Sequence, residues 1–162
     1  MKFNRTAKKK DQSFSTGAGA QVIPFRTTLR RKDEQVVFIP IVGTQKQMAC
    51  AAYLASVADQ STEGRMISEQ ALIIAGSTEV PANAKLIPLT MTSFTSGIEY
   101  GGKVLRKGSL YGLEKWLGDT GAEVQQRVLV LVDEISGRGD RAFLVVDETR
   151  VIGVICIKHR SA

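Results

Sequence analysis

The sequence contains one histidine and two cysteines among 162 residues, and these shortages remove whole classes of chemistry. A Ser/His/Asp or Cys/His arrangement would have to rest on His159, three positions from the end, which is poor ground for a hydrolytic triad. One histidine and two widely separated cysteines do not supply a zinc ligand set. Cys50 and Cys156 each sit among apolar neighbours and read as small buried hydrophobes, neither a disulfide nor a ligand pair. Long apolar runs are also missing. Val128 to Val132 and Val151 to Ile157, the latter broken by Gly153, fall far short of the ~20 residues that span a bilayer. The basic start, Met1 to Lys10, has no apolar stretch behind it and no small-residue cleavage site, so a secretory signal is not expected and the chain is expected to be cytoplasmic. No Gly-x4-Gly-Lys-Ser/Thr loop occurs, and Gly17-Ala-Gly19 is too short to be a dinucleotide fingerprint. Asp133-Glu134 and Asp147-Glu148 are adjacent pairs whose side chains diverge on a helix or strand, which makes them solvated charge.

What is present is a chain long enough for one domain with a real core. The net charge of +6 is uneven: residues 1 to 32 hold nine Lys and Arg against Asp11, whereas the remaining 130 residues hold 13 basic and 15 acidic side chains. The expected organisation is therefore a basic, Ser/Thr/Gly-rich leader over residues 1 to 32 that lacks the apolar content to order itself, followed by a mildly acidic domain over 33 to 162. The excess charge belongs to the leader, so nucleic acid is not the expected partner of the domain.

Within the domain, Val36 to Val42 is a β-branched run interrupted by Pro40 and predicts a short edge strand. Thr44 and Gln47 have capping-box spacing, and Met48, Ala51, Ala52, Ala55 and Ala58 follow at helical intervals, predicting a helix over 45–59. A second helix is predicted over 64–75, capped by Thr62 and ended by Gly76. The pattern then turns to strand over 85–91, 97–100 and 103–106. Ser109 caps a helix carrying Leu110, Leu113, Trp116 and Leu117, and Val124, Val128, Leu131 and Ile135 mark another. A hairpin over 142–146 and 151–157 closes the chain. This order predicts an α+β fold, an antiparallel sheet of about six strands flanked by two pairs of helices.

Gly101-Gly102 supplies the positive φ angles of a two-residue primed turn, and such a turn fixes the register of the strands it joins. Tyr100 then faces Lys103, Gly97 faces Arg106, and Ser96 faces Lys107. Ser96-Gly97 and Lys107-Gly108 meet across the ladder, where two glycines leave a patch of bare backbone on which a flat ligand such as a purine could lie. Lys107 would offer a cation. By residue type alone these positions also suit turns, bulges and a solvated strand end.

A resemblance adds to this reading. Leu54-Ala-Ser-Val-Ala-Asp-Gln-Ser-Thr-Glu-Gly-Arg-Met-Ile67, Leu86-Ile-Pro-Leu-Thr90, Thr95-Ser-Gly-Ile98, Val104-Leu-Arg-Lys-Gly-Ser109 and Val151-Ile-Gly-Val-Ile-Cys-Ile-Lys158 resemble, in order and spacing, the nucleotide-binding domain in the catalytic B subunit of bacterial Kdp potassium-pumping P-type ATPases. The resemblance implies an ATP-binding domain in which adenine stacks on a Phe while Ser and Lys from neighbouring strands line the pocket. The Ser and Lys correspond to Ser96 and Lys107, flanked by Gly97 and Gly108, and the Glu-Gly of the helical loop to Glu63 and Gly64. The stacking Phe corresponds to Leu89, and Phe94 stands where the family has an Arg, so Phe94 is the candidate replacement platform. The resemblance also implies a phosphorylated Asp-Lys-Thr-Gly-Thr segment upstream, where this sequence reads Ile23-Pro-Phe-Arg-Thr27, and a Mg-binding segment downstream. The expectation is a domain that holds an adenine nucleotide, with Mg arriving only with it, and that performs no phosphorylation or transport alone; a transporter or other partner chain would supply those parts. An interaction domain that has lost the ligand is the second reading, and a nucleic-acid binder acting through the basic leader is a third.

Overall fold

The computed structural model describes residues 20–21, 34–120 and 123–159; the expected leader lies outside them except for Ala20–Gln21. The elements run β1 (Ala20–Gln21), β2 (Glu34–Pro40), α1 (Gln45–Ser56), α2 (Thr62–Ala75), β3 (Val80–Pro81), β4 (Lys85–Ile87), β5 (Thr95–Tyr100), β6 (Lys103–Gly108), α3 (Leu110–Thr120), α4 (Gln126–Gly137), β7 (Arg141–Asp147) and β8 (Arg150–His159). Six strands form one antiparallel sheet in the order β2-β8-β7-β6-β5-β4, and β1 pairs with β3 in a separate ribbon.

Alternation along the strands divides the interior into two layers. On one face Val36, Phe38, Ile98, Leu105, Val145, Ile155 and Ile157 pack against Met48, Ala52, Tyr53, Met66, Ile67 and Ala71 of α1 and α2. On the other, Leu144, Val146, Val154 and Cys156 pack against Leu113, Leu117, Val128 and Ile135 of α3 and α4. Each wholly buried aliphatic side chain contributes about 1.5–3 kcal/mol of transfer free energy, so a sheet covered on both faces is what holds these elements together.

The expected α+β architecture is observed among the described residues: a six-stranded antiparallel sheet, four helices, and β2 at a sheet edge. Gly101 and Gly102 have φ of 53° and 76°, and the hairpin pairs Ser96 with Lys107, Gly97 with Arg106 and Tyr100 with Lys103, as the primed turn requires. Thr44 and Gln47 form both bonds of the capping box. Several boundaries differ, three of them beside the site. The first helix stops at Ser56 rather than residue 59, because the Asp59 N–H turns back to the Ser56 carbonyl. The second helix is capped by Ser61, not Thr62, with the Gly64 N–H donating to Ser61 Oγ at 3.0 Å. The strand expected over 85–91 ends at Ile87, since Pro88 has no N–H to donate and the next residues form a turn in which the Ser93 N–H donates to Thr90 Oγ1 and the Phe94 N–H to the Thr90 carbonyl.

Candidate functional site

The start of α2, the 88–94 loop and the end of β6 converge on a cleft of about 260 Å³, lined by Asp59, Ser61, Glu63, Leu89, Phe94, Lys107, Gly108, Ser109 and Phe143. Its deepest charged group is Lys107. Alternation turns this side chain with Leu105 toward α1, and it is only 2% exposed. A buried ammonium demands a counter-charge. Asp59, also buried, provides it, with Oδ2 2.6 Å from Lys107 Nζ. The second Asp59 oxygen accepts the Ser61 N–H at 2.9 Å, so one carboxylate ties the loop after α1 to the strand end 48 residues away.

Burial lowers the Lys107 ammonium from its usual range, with Asp59 opposing part of that shift. For Asp59, burial alone would raise the carboxyl, but the Lys107 charge and the hydrogen bonds from Lys107 and Ser61 outweigh it and hold the group below the ordinary carboxylate range. The pair is a matched ionic floor to the cleft.

Gly64 makes that pairing sterically possible. It is buried in the first turn of α2, and any Cβ there would collide with the Asp59 side chain. Glu63, beside it, faces the cleft and is bound through its carboxylate to Arg141. Phe94 has φ of 53°, in the left-handed region that a bulky residue rarely occupies. Two glycines accommodate it: a Cβ on Gly108 would lie 2.6 Å, and one on Gly112 2.7 Å, from the Phe94 carbonyl oxygen. The Phe94 ring meets Tyr111 edge-on, centroids 5.6 Å apart. Leu89 lines the same cleft and is 41% exposed.

Of the residues singled out by sequence, Glu63, Leu89, Phe94, Lys107 and Gly108 line the cleft together, and Gly64 lies beneath it. Ser96 shares the face of Lys107 but does not line the cleft: it is fully buried, and its hydroxyl donates to the Ala55 carbonyl at 2.7 Å, closing the end of α1 onto the sheet. Gly97 also lies elsewhere. Being one residue on, it turns to the opposite face, where the Leu105 carbonyl and the Arg106 side chain fill the space of a Cβ. The bare-backbone patch expected at Gly97 is therefore occupied by the protein itself, and Lys107 is a buried, paired ion rather than a solvated strand end. Sequence reasoning missed Asp59, Ser61, Ser109 and Phe143. Asp59 had a signal: a lysine in phase with Leu105 and opposite Ser96 points inward and requires an acid nearby. A larger groove, about 580 Å³, opens at the other end of α1 between Thr44, Lys46, Tyr100 and Arg150, and contains none of the residues singled out.

Over 125 residues, 75% of this chain, the sequence is 32% identical to the potassium-transporting ATPase ATP-binding subunit 1 of Listeria innocua serovar 6a. In structure, the N-domain of HMA8, a copper-transporting P-type ATPase, superposes with a TM-score of 0.55 at 17% identity, covering 75% of this chain and 97% of that one. The domain is a relative of the P-type ATPase N-domain. Its sequence likeness lies with the potassium-transporting subunits, and the chain spans 18% of the length of the Listeria relative. A zinc-transporting PIB-type ATPase shares the fold at a TM-score of 0.60 and 12% identity, over 80% of this chain and 20% of its own. No protein-family model matches the chain. Among the described residues no helix is long and apolar enough to cross a membrane.

Proposed function

We propose that this P-type ATPase N-domain relative binds an adenine nucleotide in the cleft between the start of α2, the 88–94 loop and the end of β6. The observation that carries the reading is the convergence of Glu63, Leu89, Phe94, Lys107 and Gly108 on one concavity whose floor is a buried ion pair. A volume of about 260 Å³ is below the ~300–1,000 Å³ of drug-sized pockets, which suits a base with its ribose and leaves a phosphate chain at the mouth. Apolar walls at Leu89, Phe94 and Phe143 fit the faces of a purine, and the carboxylates of Asp59 and Glu63 are acceptors suited to an exocyclic amine. Phe94 replaces Leu89 as the stacking surface in this reading. Since Asp59 already matches the Lys107 charge, the lysine contributes shape and polarisation more than a free cation for phosphate. Magnesium enters only with the nucleotide.

The domain unit is residues 33 to 162, with 1 to 32 as a basic leader, on the cytoplasmic side of a membrane whose transporter or partner chain supplies phosphorylation. Calorimetric titration with ATP tests the binding. Saturable one-to-one binding is expected, and absence of heat up to millimolar nucleotide would overturn it. One observation favours a second reading, an interaction domain without a ligand: Leu89, Met91 and Tyr111 leave apolar surface exposed around the cleft, with Met91 88% exposed. In that case the same titration is silent.

A further inference from the structure

Arg141 opens β7 beside the cleft without lining it, and its guanidinium is divided between two carboxylates. Nη1 meets Glu63 Oε1 on α2, and Nη2 lies 2.9 Å from Glu34 Oε1 on β2. Glu34 is anchored in turn: its side chain is 7% exposed, and His159 Nδ1 lies 3.8 Å away. A guanidinium fork held at both prongs has one orientation, and so does the carboxylate it holds.

The charge balance of the cleft gives this fork a consequence. Three ionisable side chains line it as acids or bases: Asp59, Glu63 and Lys107. Asp59 and Lys107 cancel each other at 2.6 Å, leaving Glu63 as the unbalanced charge of the wall. An anionic phosphate chain leaving the cleft would meet that negative charge at its partly exposed mouth, a repulsion that salt screens.

We propose that Arg141 is a positioning and specificity-determining residue, which pins Glu63 against the wall and offsets part of its negative charge, so that the cleft accepts a phosphorylated nucleoside and not only an uncharged one. This rests on the nucleotide reading above. Arg141 acts through Glu63 and touches no ligand itself. Glu34 supplies the second anchor that keeps the guanidinium from following the phosphates into solvent.

The test compares the affinities of ATP and adenosine for the full chain, because any contact between Glu63 and the base affects both ligands and cancels in their ratio. Arg141→Gln should weaken ATP by about three- to tenfold while adenosine changes by less than about twofold, and the difference should shrink at 0.5 M salt. Adding Glu63→Gln to that variant should restore the wild-type ratio to within about twofold. Glu63→Gln alone, with Arg141 still charged, should shift the ratio the opposite way, toward ATP, and provides the comparison even if Arg141→Gln folds poorly. Equal loss of both ligands, or a double variant that fails to restore the ratio, would overturn the role of Arg141 and leave nucleotide binding intact. Wild-type protein that binds neither ligand would overturn the nucleotide reading and this inference with it.

Discussion

Lys107 Nζ lies 2.6 Å from Asp59 Oδ2, and neither side chain is more than 4% exposed. Two charges removed from water in this way owe their place to each other, because the desolvation of either is offset only while the partner is present. The cleft floor, the turn after α1 and the first turn of α2 all meet at this bond, since Asp59 also holds the Ser61 N–H and packs on Gly64.

Asp59→Asn should therefore destabilise the domain by about 3–5 kcal/mol, the cost of leaving a buried ammonium without its counter-charge. Replacing both partners by apolar residues, Asp59→Leu with Lys107→Met, should recover most of that loss. Denaturant unfolding of the single and double variants reads both numbers. Equal destabilisation by the two would contradict the pairing.

Acid should reveal the same bond. The Asp59 carboxyl is held below its ordinary value of 3.8 by Lys107 and Ser61 against the opposing pull of burial. Below 3.8 the unfolded chain takes up this proton before the folded one does. Its contribution to stability is thus complete above that value and is lost as the pH falls through the folded-state value. Urea midpoints measured from pH 6 downward should fall more steeply for wild type than for Asp59→Asn, and parallel slopes would argue against an ionised Asp59.

Gly64→Ala tests the steric arm of the site. The added methyl occupies the position of the Asp59 side chain, so the carboxylate must leave Lys107 or α2 must shift. A loss of about 1–3 kcal/mol is expected, comparable to overpacking of a core, together with loss of nucleotide affinity. A variant as stable as wild type would show that Asp59 is not held against Gly64.

Phe94 sits in a left-handed conformation between Gly108 and Gly112, with its ring edge-on to Tyr111. If its face is the stacking platform, Phe94→Ala should weaken ATP by roughly five- to 150-fold, the worth of one base–aromatic stack of ~1–3 kcal/mol, while Leu89→Phe should gain less than about fivefold. The reverse pattern would move the platform to position 89.

Local rules made most of this fold readable. Gly101-Gly102 fixed the β5–β6 register because positive φ at both positions admits few turns, and that register alone brought Ser96 opposite Lys107. Thr44 and Gln47 announced α1 through a three-residue spacing, a contact the sequence carries on its surface. What stayed hidden was tertiary. The inward phase of Lys107 called for an acid nearby but did not say which one, because Asp59 and Lys107 meet only when α1 lies on the sheet and ends at Ser56. Gly97 and Ser96 were read as one patch although adjacent strand residues face opposite ways, and the space at Gly97 is filled by Leu105 and Arg106. The 85–91 segment is apolar enough to suggest strand, yet Pro88 and the Thr90 turn end it at Ile87 and release the following residues to form the cleft wall.

The most direct test of nucleotide binding in this cleft is to follow backbone amide resonances while ATP is titrated in. Shifts should concentrate at Glu63, Gly64, Phe94, Lys107 and Gly108, saturate together, and leave Lys46, Tyr100 and Arg150 at the far groove unmoved. An unchanged spectrum at millimolar ATP, or shifts gathered at the far groove instead, would contradict it.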